Sequence, residues 1–155
     1  MARLLSFLLK GRFQRNHIKQ YNGRMMKIWK YYIPATIWVI LIFILCTLPG
    51  KDVPTTSFLQ KIHFDKIVHF GLFGGIVLLM SLGVYWQRKY ISGLTLFMFV
   101  LMAACYGLAI EYIQKYWAID RSFDMMDVLA DTLGAIAGVI AFKVAVRLFF
   151  KKDDA

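Results

Sequence analysis

Four apolar runs, at 31–48, 67–85, 91–113 and 127–149, leave this chain few ways to fold. Each is close to the ~20 residues a helix needs to cross the hydrocarbon core of a bilayer. Backbone N–H and C=O groups inside lipid must be satisfied within the protein, and helices do this run by run. The expected fold class is all-α: an integral membrane bundle of four transmembrane helices. Of the 155 residues, 59% are hydrophobic and only 18% charged, too little charge to cover a soluble domain.

The punctuation fits four spans. Tyr31, Tyr32 and Trp38 are expected at the first membrane interface, and Pro34 suits a first helical turn. Leu48-Pro49-Gly50 is a helix stop. Loops at 49–66 and 114–126 and a short basic turn at 87–89 join the spans. Gly134 and Gly138, four apart, permit close helix contact, as do Gly71, Gly74 and Gly75. Cys46 and Cys105 both lie in apolar runs and are expected as buried, inert thiols. The chain divides into a basic N-terminal extension (1–30), a four-helix membrane domain (31–150) and a short tail (151–155).

The net charge of +10 is placed by topology and does not point to nucleic acid. Fourteen of the nineteen Lys/Arg lie before the first span, in the 87–89 turn or from Lys143 onward. The loops at 49–66 and 114–126 hold the other five. By the positive-inside rule both termini are cytoplasmic and those two loops are external, in a multi-pass protein of the plasma membrane. Residues 1–30 carry eight basic residues and no acid. They read as an amphipathic segment on an anionic leaflet or as a basic tail. Translation starting at Met25 or Met26 is a third reading.

The acids gather at the opposite boundary. Apart from Asp153 and Asp154, all lie in or beside the external loops, together with His63 and His69. A carboxylate near the centre of a span costs about 2.5–3.5 kcal/mol on insertion scales, so Asp127 and Asp131 call for a reason. Asp65 and His69 are four apart and share a helix face, where a carboxylate can orient an imidazole. Asp65 also suits a helix N-terminus without further purpose. Glu111 is spaced to pair with Lys115. Asp120, Asp124, Asp127 and Asp131 fall on one face if the fourth helix begins early, a ladder able to hold Mg²⁺ beside a phosphate. Loop solvation and helix capping are the better account of Asp120 and Asp124. The glycine register turns the acid face of the fourth span toward the second, bringing His69 near Asp127 and Asp131.

At these residues the chain resembles the VanZ-like family, named for a teicoplanin-resistance protein. The resemblance rests on Leu48-Pro49-Gly50, on FDKIVHFGLF with Asp65, Lys66 and His69, and on YGLAIEYIQ with Glu111 and Gln114. It rests also on DRSFDMMDVLADTLGAIAG, with Arg121, Asp124, Asp127, Asp131 and Gly134. It covers about residues 32–145; Asp131 departs from it, standing where the family often carries Asn. The resemblance implies a membrane protein linked to low-level resistance to a lipoglycopeptide, and it implies no particular reaction.

The leading expectation is an outward-facing polar pocket lined by Asp65, His69, Glu111, Gln114, Arg121, Asp127 and Asp131. It would bind an amphiphile: an envelope lipid, a lipid-linked precursor or a lipoglycopeptide. One alternative is a Mg²⁺-dependent membrane enzyme acting on a lipid-linked phosphate. Others are proton-coupled solute movement and a structural protein whose polar cluster is internal glue. Membrane lipids are the expected partners, and so small a bundle leaves room for a homodimer. No cofactor, metal or catalytic residue is assigned.

Overall fold

A computed structural model of the chain describes residues 29–49, 56, 58, 63–119 and 121–150. The basic segment before Trp29, most of the 49–66 loop, Asp120 and the tail from Lys151 lie outside the described residues. Among the described residues the regular elements are all helical: α1 (Ile33–Thr47), α2 (Phe64–Arg88), α3 (Gly93–Trp117) and α4 (Met125–Ala145). A π-helical turn, Val146–Phe150, extends α4. The last three helices, with that turn, are long and apolar enough to cross a membrane.

Local chemistry sets the helix ends. Pro34 opens α1, and Leu48 leaves it in an extended conformation just before Pro49. The Ser92 hydroxyl accepts the Thr95 N–H at 3.1 Å and caps α3. Asp124 caps α4 by accepting the Met126 N–H at 2.8 Å. Lys89 closes α2 in the left-handed region, φ 57°, with its N–H on the Tyr85 carbonyl.

One expectation needs adjusting. The first span was expected over 31–48, but α1 has 15 helical residues, because a turn over the residues just before Ile33 delays its start. Both of its ends are nonetheless tied to neighbouring helices. At one end the Tyr32 hydroxyl donates to Gln87 Oε1 (2.8 Å); at the other Gln114 Nε2 donates to the Cys46 carbonyl (2.6 Å). The helices therefore alternate in direction, and the described ends of the chain lie on one side, where Phe150 packs against Tyr85 and Trp86.

The closest seam joins α2 and α4. A Cβ on Gly74 would lie 2.9 Å from the Gly134 carbonyl oxygen, and one on Gly138 would strike the Gly74 carbonyl. A Cβ on Gly134 would strike Phe70 O. Gly134, Gly138 and Gly74 thus act as expected, by letting two backbones touch. Gly71 does not; the space beside it is open. Helix α1 docks differently, by side-chain donors on backbone carbonyls. Trp38 Nε1 donates to Leu72 O (2.8 Å) over Gly75, and the Tyr106 hydroxyl donates to Val39 O (3.0 Å). Trp38 is therefore an interhelical donor and not the interface anchor expected of it. Ile42, Phe73, Val77, Ile110 and Ala135 fill the core, while Ile37, Leu101, Leu133 and Ile140 face outward, as lipid contact requires. Cys46 is buried as expected; Cys105 is exposed on the outer surface of the bundle, contrary to expectation, and both thiols are free.

Candidate functional site

The polar residues collect where α2 and α4 begin and α1 and α3 end. His69 lies five residues into α2 and Asp131 six into α4, each about 8–9 Å from its helix start. Glu111 lies six residues before the end of α3. Their alternating directions bring these positions to one layer.

The layer has an inner and an outer part. In the inner part His69 Nδ1 and Asp131 Oδ1 are 3.0 Å apart, with the two side chains 5% and 0% exposed. Gly107 of α3 makes room for this carboxylate, since a Cβ there would collide with Asp131 Oδ2. His69 also stacks on Phe73. Glu111, fully buried, accepts the Asp124 backbone N–H through Oε2 at 2.8 Å. It thereby ties the end of α3 to the cap of α4. Gln114 is buried and bound to the end of α1.

Lys66 organises the outer part. Its ammonium donates to Asp124 Oδ2 at 2.6 Å and to Asp127 Oδ1 at 2.9 Å, and Asp65 Oδ2 lies 3.5 Å away. Asp124 is outside the spans, and the Lys66 hydrogen bond holds its carboxyl below the usual value of 3.8, helped by the Met126 N–H.

Among the described residues, three polar atoms in this layer are buried without a hydrogen-bond partner: Glu111 Oε1, Asp131 Oδ2 and Arg121 Nε. Arg121 makes no ion pair with a described residue. It stands in the segment crossing from α3 to α4. Like Glu111, Asp127 and Asp131, it is within electrostatic reach of Cys46.

The structure thus brings His69, Asp127 and Asp131 together, with Glu111 and Gln114 beside them. Several expected pairings change. His69 pairs with Asp131 across the bundle and not with Asp65, which is exposed and lies beside Lys66. Glu111 caps the approach to α4 instead of meeting Lys115, whose ammonium lies over the Tyr116 ring. The aspartate ladder does not form one ligand row. Asp124 precedes the helix as its cap, Asp127 joins it on Lys66, and Asp131 turns inward to His69. Asp120 lies outside the described residues. Cavities of about 620 Å³ (beside Tyr85, Lys89 and Arg147) and about 440 Å³ (beside Tyr112 and Trp117) are lined by other residues.

Lys66, Asp124 and Gly107 were not among the residues expected to line the pocket. Lys66 stands three before His69 on the same helical face, so its place in the layer was legible, but its partners Asp124 and Asp127 on α4 were not. Gly107 carried no such signal.

The VanZ/LLP1 family model matches residues 7–148. The chain belongs to the VanZ-like family. The match begins at residue 7, well ahead of the 32–145 over which the resemblance was traced, so it takes in most of the basic N-terminal segment. No curated protein sequence and no solved structure matches the chain. With three helices long and apolar enough to span a bilayer, this VanZ-like chain is a membrane protein.

Proposed function

We propose that this VanZ-like protein binds the polar headgroup of an envelope amphiphile at the layer capped by Lys66 and Arg121. In this reading the membrane is the plasma membrane, with the termini cytoplasmic and the layer at the outer boundary, an orientation supported by the distribution of Lys and Arg. The observation that carries the reading is Arg121, a cation without an ion pair among the described residues and with a buried, unpartnered Nε. Each neighbouring carboxylate of the rim already has Lys66. A guanidinium in that state suits a phosphate or carboxylate, which it grips through two parallel hydrogen bonds. Asp65 is the accessible acceptor for hydroxyls at the rim, while His69, Glu111, Gln114, Asp127 and Asp131 form the floor. A lipid, a lipid-linked precursor and a lipoglycopeptide all present such a group on an apolar anchor. The split of the aspartate ladder removes the main reason for a Mg²⁺-dependent phosphate enzyme built on that ladder.

The test is native mass spectrometry of the protein released from mild detergent, wild type beside Arg121→Gln and Asp127→Ala. A distinct anionic lipid species retained by wild type and lost from Arg121→Gln supports the reading. Equal amounts of bulk phospholipid in all three would leave the layer as internal glue between helices.

A further inference from the structure

We infer that His69, Glu111 and Asp127 together form a binding site for one divalent cation of the zinc type, with Asp131, Asp124 and Lys66 as its positioning partners. The inference rests on the reading of this layer as a ligand site and names a ligand for its floor.

The three residues come from three helices, α2, α3 and α4. A ring nitrogen of His69 and a carboxylate oxygen from each of Glu111 and Asp127 lie within 4.8 Å of one another. Each residue is also held at one atom by a partner. Asp131 Oδ1 holds His69 Nδ1 at 3.0 Å, the Asp124 N–H holds Glu111 Oε2 at 2.8 Å, and Lys66 Nζ holds Asp127 Oδ1 at 2.9 Å. That leaves His69 Nε2, Glu111 Oε1 and Asp127 Oδ2, one atom per residue, without a hydrogen bond among the described residues.

The partner on His69 is the one a metal site needs. An imidazole that donates Nδ1–H to a carboxylate keeps a lone pair on Nε2, and the carboxylate raises the basicity of that nitrogen. Glu111 supplies an independent observation. It is 0% exposed, and its Oε1 has no hydrogen-bond partner among the described residues. An ionised carboxylate oxygen buried in that state is costly unless a cation or a proton meets it. The layer holds Glu111, Asp124, Asp127 and Asp131 against Lys66 and Arg121, so negative charge remains in excess for a dication to neutralise.

The donor set selects the class of ion. Magnesium and calcium take oxygen ligands, whereas imidazole with carboxylate suits zinc and its first-row neighbours. Three protein ligands leave one position for water or for a headgroup oxygen. The exposed trio of Asp65, Asp124 and Asp127 is a poorer choice, because the Lys66 ammonium already sits among its oxygens.

The experiment uses the full chain in dodecylmaltoside, stripped with EDTA, dialysed against zinc chloride and passed through gel filtration before metal analysis. Wild type is expected to retain about one zinc ion per chain. Cys105→Ser, on the outer surface of the bundle, should retain as much. Glu111→Gln should lose most of it, and Asp131→Asn should bind roughly 10- to 100-fold more weakly, the usual effect of removing a ligand's orienting carboxylate. Should Glu111→Gln not fold, X-ray absorption on zinc-loaded wild type decides: an imidazole in the first shell supports the site, and an all-oxygen shell overturns it. Wild type holding no zinc after gel filtration, or zinc held equally by every variant, also overturns it. Lipid is measured in the same samples. Absent zinc with an anionic lipid still lost on Arg121→Gln would remove the metal and leave the headgroup reading standing. Bound zinc without a selective lipid supports the metal and removes the headgroup.

Discussion

Lys66 touches three carboxylates and is the residue on which the outer rim depends. Truncating it leaves Asp127, with a side chain only 11% exposed, facing Asp124 without a cation between them. Removing one partner of a fully buried pair costs about 3–5 kcal/mol. Lys66 is one-quarter exposed, so screening reduces the expected loss for Lys66→Met to about 1–3 kcal/mol. Denaturation in SDS–detergent mixtures reads this directly, and Lys66→Met/Asp127→Asn should recover part of the loss. Asp124 gives the rim its pH dependence. Its folded pKa lies below 3.8, so its stabilisation is complete above the ordinary carboxylate value and is lost as pH falls through the lowered one. Thermal stability measured downward from pH 5 should therefore fall in wild type below about pH 4, with a smaller fall in Asp124→Asn. A wild-type profile indistinguishable from that of the variant would mean that the Lys66 link contributes nothing.

At the scale of elements, α2 and α4 meet backbone to backbone, and α1 is hung from side-chain donors. The two seams should respond differently to substitution. Gly134→Val puts a branched side chain against Phe70 O and should cost about 1–3 kcal/mol or more by overpacking. Trp38→Phe removes one interhelical donor and should cost about 0.5–2 kcal/mol, in the range found for such bonds within membranes. The same denaturation assay orders the two, and a larger loss for Trp38→Phe would contradict the account of the seams. The difference bears on what was legible in the chain. Long apolar runs and small residues four apart report directly on span and seam, because lipid and backbone contact impose them. The glycine register therefore led correctly to His69 facing the acids of α4. It did not lead to Asp131 over Asp65 as the histidine's partner, since spacing within a helix says nothing of a carboxylate 62 residues away. Capping was expected of Asp124, and the Met126 N–H on its carboxylate bears it out; spacing left open the alternative of an earlier helix with Asp124 inside it. The choice depends on where α4 starts, and Glu111 helps to set that start by holding the Asp124 N–H.

At the scale of the molecule, the antiparallel bundle puts the acid layer on one side and the ends of the described chain on the other. The proposed orientation, which follows Lys and Arg density, puts the acid side outside. Cysteine labelling tests this in a background with Cys46 and Cys105 replaced. Ile119→Cys, at an exposed position beside the acid layer, should react with an impermeant maleimide on intact cells. Tyr90→Cys, exposed at the other end, should react only after permeabilisation. The opposite pattern would invert the protein and place the site in the cytoplasm.

The short α1 has a consequence for the lipid around it. Its 15 residues rise about 22 Å, against the roughly 30 Å of a typical hydrocarbon core and about 37 Å for the 25 residues of α2. Acyl chains beside α1 meet a low wall and those beside α2 a high one, so a membrane that follows both is thinned on one flank. A depression of that kind draws headgroups down toward the layer where Gln114 holds the end of α1. An amphiphile would then reach the site by sliding along the leaflet, without first leaving it.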